Sequence, residues 1–279
     1  MTTDAASFLG LSRVDEAGWS LPVSAGIATP FRFLFGGCGL GAAIAALEGT
    51  TGRPVIWSTS QYLSYAMVDS TVDISVTVAQ AGSQVTQARA TGRVGDREIF
   101  TVNAALGTRG RDYDGRWTTP PDVLAPDLCP LRQVMEDHED TIMGRLELRL
   151  AAGRVFDQLS DGSEGRPVRR GSGRSALWVS MSGLEVSGAG LAIIGDYVPF
   201  GIGPALGLRA GGNSLDNTLR VIEAVPSDWV LLDIDVHAVA NGFGHGLVHL
   251  WSEDGTLLGT ASQSVIVRRH DPERARIWS

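Results

Sequence analysis

One pattern occurs twice along this chain: an apolar, helix-like segment is followed by several strand-like runs. In the second half, residues 232–267 alternate apolar and polar side chains in three runs, separated by Asn241-Gly242 and Asp254-Gly255. Alternation at period two buries one face of a strand, and Asn-Gly or Asp-Gly supplies the positive φ angles of a tight hairpin. These residues are therefore predicted to form a three-stranded antiparallel meander.

The first half has the same order of elements. Residues 36–39 read Gly-Gly-Cys-Gly and lead into an apolar segment, 40–49, whose apolar residues recur at helical spacing. Four strand-like runs follow, at residues 55–65, 71–79, 84–94 and 98–106. Segments of the two meanders match at an offset of about 157 residues, which indicates a duplication. The predicted fold class is α+β, a double hotdog: two fused hotdog units, each an antiparallel sheet wrapped around a central helix.

Composition changes between the two copies and suggests the domain limits. The chain of 279 residues suits one large or two small domains. Residues 1–110 are predicted to form the N-terminal hotdog and residues 141–279 the C-terminal hotdog. The charged, proline-rich segment 111–140 between them is predicted to be a linker with a short helix in residues 131–140. In the second unit, a helix is expected over residues 191–198, with Pro199 ending it.

Charge and cysteine content exclude several classes of protein. The net charge of −8 argues against nucleic-acid binding, which favours a basic surface. Two cysteines, Cys38 and Cys129, make neither a disulfide framework nor a zinc site. No basic region followed by an apolar run opens the chain, and the apolar run near residues 191–194 is too short to span a bilayer. A cytoplasmic protein without a metal, a cofactor or a membrane span is expected.

Several short stretches resemble the acyl-CoA thioesterase II (TesB-like) family. They are Leu34-Phe35-Gly36-Gly37, Ser60-Gln61-Tyr62-Leu63, residues 92–100, Ser214-Leu215-Asp216-Asn217, Asp228-Trp229-Val230-Leu231, and the stretch from Asp254-Gly255 to Ala261-Ser262-Gln263. The resemblance extends from about residue 30 to about residue 270. It implies two fused hotdog units that hydrolyse fatty acyl-CoA to free acid and CoA. It also implies assembly into a homo-oligomer.

The resemblance implies a catalytic trio of Asp, Thr or Ser, and Gln in the second unit, holding one water. By spacing, the Asp falls on Asp216 and the Gln on Gln263. The hydroxyl position falls on His237, which departs from the family pattern. A second departure is Cys38, which follows the glycine pair where the family often has Gln.

The same three residues have chemistry that suits thioester hydrolysis. Asp216 could orient or deprotonate a water, His237 could act as a base, and the amide of Gln263 could both donate to and accept from a water. Each has a structural alternative. Asp216 could bond to turn backbone, His237 could be a half-buried histidine, and Gln263 could be an ordinary exposed side chain.

The glycine-rich start of the first helix is a candidate substrate site. Unpaired N–H groups at a helix N-terminus favour an oxyanion, so Gly37 and Cys38 are predicted to bind the thioester carbonyl. Tight packing is the alternative for Gly37, and a nucleophilic thiol is an alternative role for Cys38. The sequence thus favours an acyl-CoA thioesterase. A non-catalytic acyl-CoA-binding protein and a hydratase on the same fold are the competing functions.

Overall fold

A single antiparallel sheet continues through both halves of the chain in the computed structural model, which describes residues 3–110, 113–162 and 168–269. The sheet has 13 strands, and its path runs β1-β2-β4-β5-β6-β3-β10-β13-β12-β11-β8-β7, with β9 paired to β13. The strands are β1 (Ser12–Arg13), β2 (Gly18–Pro22), β3 (Val55–Tyr62), β4 (Thr71–Ala81), β5 (Val85–Val94), β6 (Arg97–Gly107), β7 (Leu148–Ala152), β8 (Arg174–Ser180), β9 (Ala210–Ser214), β10 (Asp216–Val221), β11 (Trp229–Ala240), β12 (Phe243–Ser252) and β13 (Leu257–Arg269).

The described helices lie mainly on the inner side of this sheet. They are α1 (Ala5–Leu9), α2 (Gly36–Thr51), α3 (Ile142–Arg145), α4 (Gly188–Ile194) and α5 (Val198–Leu206). The apolar helix predicted in the first unit is α2, and nearly all of its first 12 residues are buried. A helix that is apolar on all sides needs burial on all sides, which the surrounding sheet and α4 provide. The predicted double hotdog is confirmed.

The two units join along one strand pair. Strands β3 and β10 are antiparallel neighbours, with Thr59 opposite Thr218 and 2.7 Å between their hydroxyl oxygens. Helices α2 and α4 pack against each other beneath this pair. A Cβ atom on Gly41 would lie 2.8 Å from Cγ1 of Ile193, so the glycine allows the two helices to approach closely. The junction therefore brings the start of α2 next to the end of α4.

The central helix of the second unit differs from its prediction. Pro199 does not end a helix; it lies in the first turn of α5, which follows α4 after a short break. Proline is favoured there because its missing N–H has no intrahelical partner in the first turn. The break at residues 195–197 interrupts the regular helix in the protein interior. Asp196 lies in this break, outside the regular helical hydrogen bonding of α4 and α5.

Two other local predictions are also wrong. Residues 131–140 form no regular α-helix; a 3-10 turn at Glu136–His138 is followed by the short α3. Residues 213–222, which the sequence pattern also predicts to be one strand, are divided at Leu215 into β9 and β10, which pair with different parts of β13. No structural comparison bears on the domain limits 1–110, 111–140 and 141–279, which stay predictions.

Segment 188–206 is long and apolar enough, by length and composition, to cross a bilayer. It contains α4 and α5, and 78% of its most apolar window is buried inside the protein. The core helix of a globular domain has these same properties, because a helix that the sheet buries on all sides is also apolar on all sides. The expected absence of a membrane span stays a prediction.

Candidate active site

Asp196 is a buried carboxylate at the break between α4 and α5. Only 5% of the residue is exposed. Its Oδ1 accepts hydrogen bonds from the Gln263 amide and from the Ser214 hydroxyl, the latter at 3.2 Å, and the Gly37 N–H also donates to the carboxylate. Burial raises the pKa of Asp196 to about 6, and the three donors offset part of that rise. The site therefore contains a base whose pKa is close to neutral pH.

Hydrogen bonds to both its nitrogen and its oxygen hold the side-chain amide of Gln263 in place. The residue is 3% exposed and lies on the inward face of β13, between Ala261 and Val265. Its Nε2 donates to Asp196 and, at 2.8 Å, to the Ser214 hydroxyl, while its Oε1 accepts from the N–H of Val198 at 3.0 Å. The last bond identifies Oε1 as the acceptor and so sets the orientation of the amide. Gln263 therefore acts as a fixed donor toward the carboxylate and the hydroxyl.

Ser214 supplies the hydroxyl of this group. It is the last residue of β9 and lies opposite Val265 of β13, two residues along from Gln263. Its Oγ accepts from Gln263 and donates to Asp196, so it lies between the amide and the carboxylate. Asp196, Ser214 and Gln263 together are called the buried trio below. The three come from a helix break, a strand end and a strand interior.

The first unit contributes the start of α2 to the same site. A Cβ atom on Gly36 would lie 2.6 Å from Asp196 Oδ2, and one on Gly37 would lie 2.5 Å from the carbonyl oxygen of Ile193. The tight packing considered for Gly37 is therefore present, against α4. The Tyr62 hydroxyl donates to the Gly36 carbonyl at 2.9 Å and holds this turn in position. Phe35 offers no side-chain cap, so the first N–H groups of α2 depend on other acceptors.

Asp216 does not join the buried trio. It begins β10, where its side chain faces away from the helices, and its Oδ1 accepts from the Ser264 N–H at 2.8 Å. The neighbouring Asn217 takes the buried, inward position instead. Asp216 thus bonds to backbone at the division between β9 and β10, which is the structural alternative considered for it.

His237 is also on the outer face of the sheet. It is exposed and lies in an irregularity of β11, between Val236 and Ala238, where the register with β12 shifts. A cavity of about 260 Å³ is lined by Asp216, His237, His245 and parts of β13 including Gln263. The Gln263 amide, however, is bonded to groups on the inner side. The predicted grouping of Asp216 and His237 around that amide is therefore corrected, because the sheet separates them from it.

Cys38 is completely buried one residue after Gly37. Burial raises the pKa of its thiol far above its usual range, opposed by the charge of Arg145. A nucleophilic thiolate is therefore not favoured at this position. The Gly37 N–H, predicted to bind the thioester carbonyl, donates to Asp196 instead, whereas the same role of the Cys38 N–H stays a prediction.

Replacing Cys38 with alanine is expected to leave hydrolysis within about threefold of the unmodified protein, because the thiolate is not populated near neutral pH. The native protein should also fail to react at this thiol with a colorimetric disulfide reagent, whereas the protein in denaturant should react. Rapid labelling of native Cys38, together with loss of activity, would contradict this expectation.

The chain matches one known protein family. The family description "Acyl-CoA thioesterase C-terminal domain" matches residues 126–267, which include all of the buried trio. The chain belongs to the acyl-CoA thioesterase family. No curated protein matches the sequence.

Solved structures extend the likeness to nearly the whole chain. A protein from Novosphingobium aromaticivorans named "putative thioesterase" is 32% identical, with 92% of this chain and 97% of that chain covered and a TM-score of 0.79. The acyl-CoA thioesterase II TesB2 from Mycobacterium marinum is 15% identical over 96% and 99%, with a TM-score of 0.72. A protein with hot dog fold from Alicyclobacillus acidocaldarius is 18% identical over 96% and 98%, with a TM-score of 0.78. The last two show the fold alone.

Sequence reasoning missed Asp196 and Ser214, although one signal was available. Asp196 is the only charged residue in segment 188–206, which is otherwise apolar or small. A lone carboxylate in a segment that must be buried is a candidate functional group, because its charge has to be compensated there. Ser214 had no comparable signal. It belongs to the same matching stretch as Asp216, and only the division of the strand shows which of the two faces inward.

Proposed function

We propose that this acyl-CoA thioesterase family member hydrolyses acyl-CoA to free acid and CoA through a water held by the buried trio. The observation that carries the proposal is the Asp196 carboxylate, bonded to both Ser214 and Gln263 beside the start of α2. A water that replaces one of these bonds to Asp196, accepting from Ser214 or Gln263 and donating to the carboxylate, would be oriented for attack. These are the parts that general-base catalysis requires.

Asp196 is suited to be the base. A carboxylate at its usual pKa is a weak base near neutral pH, whereas one raised to about 6 takes a proton more readily and is still largely ionised there. The attacking water would transfer its proton to Asp196 as its oxygen bonds to the thioester carbonyl carbon. The resulting oxyanion would collapse with departure of CoA as a thiolate, which leaves readily because thiols are acidic.

The start of α2 would stabilise the negative charge that develops on the carbonyl oxygen. Its first-turn N–H groups carry the positive end of the helix dipole, and the N-cap residue Phe35 has no side-chain acceptor for them. Gly37 donates to Asp196, which leaves the N–H groups next to it, including that of Cys38, as donors for the carbonyl. The first unit would therefore contribute the oxyanion site and the second unit the base.

The proposal is tested by measuring free thiol released from a panel of acyl-CoAs of different chain lengths. The expected result is turnover that depends on enzyme concentration and exceeds the uncatalysed rate on at least one substrate. In parallel, a binding titration with each acyl-CoA tests the alternative of a non-catalytic acyl-CoA-binding protein. Binding without thiol release on every substrate would favour that alternative and overturn the proposal.

The rate of hydrolysis should depend on the ionisation of Asp196. We expect kcat/KM to fall about tenfold per pH unit below about 6 and to level off above it, because only the carboxylate can accept the proton. The profile is measured from pH 4.5 to 8 with a good substrate. A profile without a transition in that range would contradict a base at Asp196.

The same ionisation should affect stability with the opposite sign. Since folding raises the pKa of Asp196 from its ordinary 3.8 to about 6, its stabilising contribution is complete below about pH 3.8 and is lost as pH rises through about 6. Unmodified protein should therefore lose stability relative to Asp196→Asn between pH 5 and 7.5, by on the order of 1–3 kcal/mol. Urea unfolding of both proteins at the two pH values measures this difference.

A further inference from the structure

Arg132 reaches from the segment before α3 into the protein interior near the buried trio. Its Nη1 atom is buried and has no hydrogen-bond partner, and the same holds for the hydroxyl of Tyr197. The two side chains are neighbours: burial raises the pKa of the Tyr197 hydroxyl, and the charge of the Arg132 guanidinium and a weak hydrogen bond from it oppose that rise. Tyr197 directly follows Asp196 in the chain. A cationic donor and a hydroxyl, each without a hydrogen bond of good geometry, therefore lie together one residue from the proposed base.

The contacts that hold Arg132 are weak ones. Its Nη2 lies 3.5 Å from the sulfur of Met143, and its guanidinium lies 5.5 Å from the centre of the Phe200 ring. It forms no ion pair with any carboxylate of the described residues, although the chain has 31 acidic residues against 23 Lys and Arg. A buried charged donor without an acceptor is costly. An acceptor from outside the chain would satisfy the buried Nη1 donor.

The neighbours of Arg132 extend from the protein surface toward the proposed site. Arg132 itself is only partly buried, and its neighbour Leu131 is 51% exposed. On the inner side, the Tyr197 ring meets the Phe35 ring edge-on at 6.3 Å, and Phe35 immediately precedes the glycines of α2. A series of neighbouring side chains, Arg132, Tyr197 and Phe35, therefore leads from the surface to the start of α2.

We propose that Arg132, together with the Tyr197 hydroxyl, binds an anionic oxygen group of the thioester substrate; this rests on the proposed function. A guanidinium presents paired N–H donors that match a carboxylate or a phosphate. The group is either a carboxylate on the far end of the acyl chain or a phosphate of CoA. Arg132 is thus a specificity-determining residue, and the two sources predict different substrate dependences.

The test compares the unmodified protein with Arg132→Met on four thioesters. Glutaryl-CoA and pentanoyl-CoA have acyl groups of the same length that differ in the terminal carboxylate. Their N-acetylcysteamine thioesters carry the same acyl groups without any phosphate. If Arg132 binds the acyl carboxylate, kcat/KM should fall about 10- to 100-fold for both glutaryl esters only. If it binds a phosphate, the same loss should appear for both CoA esters only.

The controls separate binding from a general effect on charge or folding. Arg89→Gln removes one positive charge from an exposed position on β5, where Arg89 contacts Asn103, and should leave all four values within about twofold. Methionine at 132 keeps an apolar stem against Phe200. Values that are all unchanged, or all lowered equally, in Arg132→Met would overturn the proposal.

A second variant keeps the test decisive if Arg132→Met does not fold. Tyr197→Phe removes one hydroxyl and keeps the ring against Phe35. It should lower kcat/KM for the same pair of thioesters, by a smaller factor than Arg132→Met does. If Arg132→Met is unfolded and Tyr197→Phe lowers kcat/KM selectively for neither the glutaryl esters nor the CoA esters, the proposal is rejected. Arg132→Lys keeps the charge without the paired donors and should recover part of the loss.

Failure of this proposal can be told apart from failure of the proposed function. Calorimetric titration of the unmodified protein and Arg132→Met with glutarate and with CoA needs no turnover. Weaker binding of either ligand to the variant would support the anion site even if no thioester is hydrolysed. Hydrolysis that is normal in the variant, with equal binding of both ligands, would retain the proposed function and overturn the anion site.

Discussion

Replacing Asp196 with asparagine is expected to lower hydrolysis of acyl-CoA by about 10²- to 10⁴-fold, the range associated with loss of general-base catalysis. Asparagine has nearly the same shape, and its oxygen can still accept from Gln263 and Ser214. It cannot take a proton from water. Because the change removes ionisation and little else, kcat should fall far more than substrate binding weakens, as thiol-release kinetics and an acyl-CoA titration would measure.

Asp216→Asn is the matched control for this variant. Asp216 lies on the outer face of the sheet, and asparagine can still accept from the Ser264 N–H. Its hydrolysis should therefore stay within about threefold of the unmodified protein. If Asp216→Asn instead lost activity while Asp196→Asn kept it, the base would be at the position first predicted from spacing, and the buried trio would be structural.

Gly37→Ala is expected to be the most destabilising of the small substitutions in α2. The added methyl carbon would lie 2.5 Å from the carbonyl oxygen of Ile193 and 3.0 Å from that of Ala192, both backbone atoms that cannot rotate away. Overpacking of this kind costs about 1–3 kcal/mol, and two backbone clashes favour the upper end. Activity should fall as well, because Gly37 must donate to Asp196.

Gly39→Ala controls for the change of residue type in the same helix. A methyl carbon there would lie 3.4 Å or more from its neighbours Leu34 and Phe100, which is ordinary contact. Alanine is also the better helix former, by about 1 kcal/mol, so this variant should be as stable as the unmodified protein or more so. Equal urea midpoints for the two alanine variants would show that the junction of α2 and α4 can relax.

The site depends on both halves of the duplicated chain. The N–H of Gly37 in the first unit donates to Asp196 in the second, and Tyr62 of the first unit holds Gly36 against the same carboxylate. This arrangement gives a physical reason for a single site in a chain with two similar folds: each unit contributes a different part of the chemistry.

The fold was largely predictable because its signals are local. The alternation in residues 232–267 determines which face of each strand is buried, and the apolar segment after Gly36 determines a buried helix. The hairpin at Asn241-Gly242 follows from backbone preferences; both residues have positive φ angles, 53° and 79°. Alternation also predicts an inward Gln263, since Ala261 and Val265 share its face.

The buried trio could not be predicted from local sequence patterns. Whether position 214 or 216 faces inward is decided by the division of the strand at Leu215, and the exposure of His237 is decided by the irregularity in β11. Asp196 meets Gln263 only because a helix break and a strand 67 residues away pack together. The sequence by itself determined two helix-and-meander units. Only the tertiary structure decided which carboxylate is buried, because burial and its effect on pKa arise from contacts between distant segments.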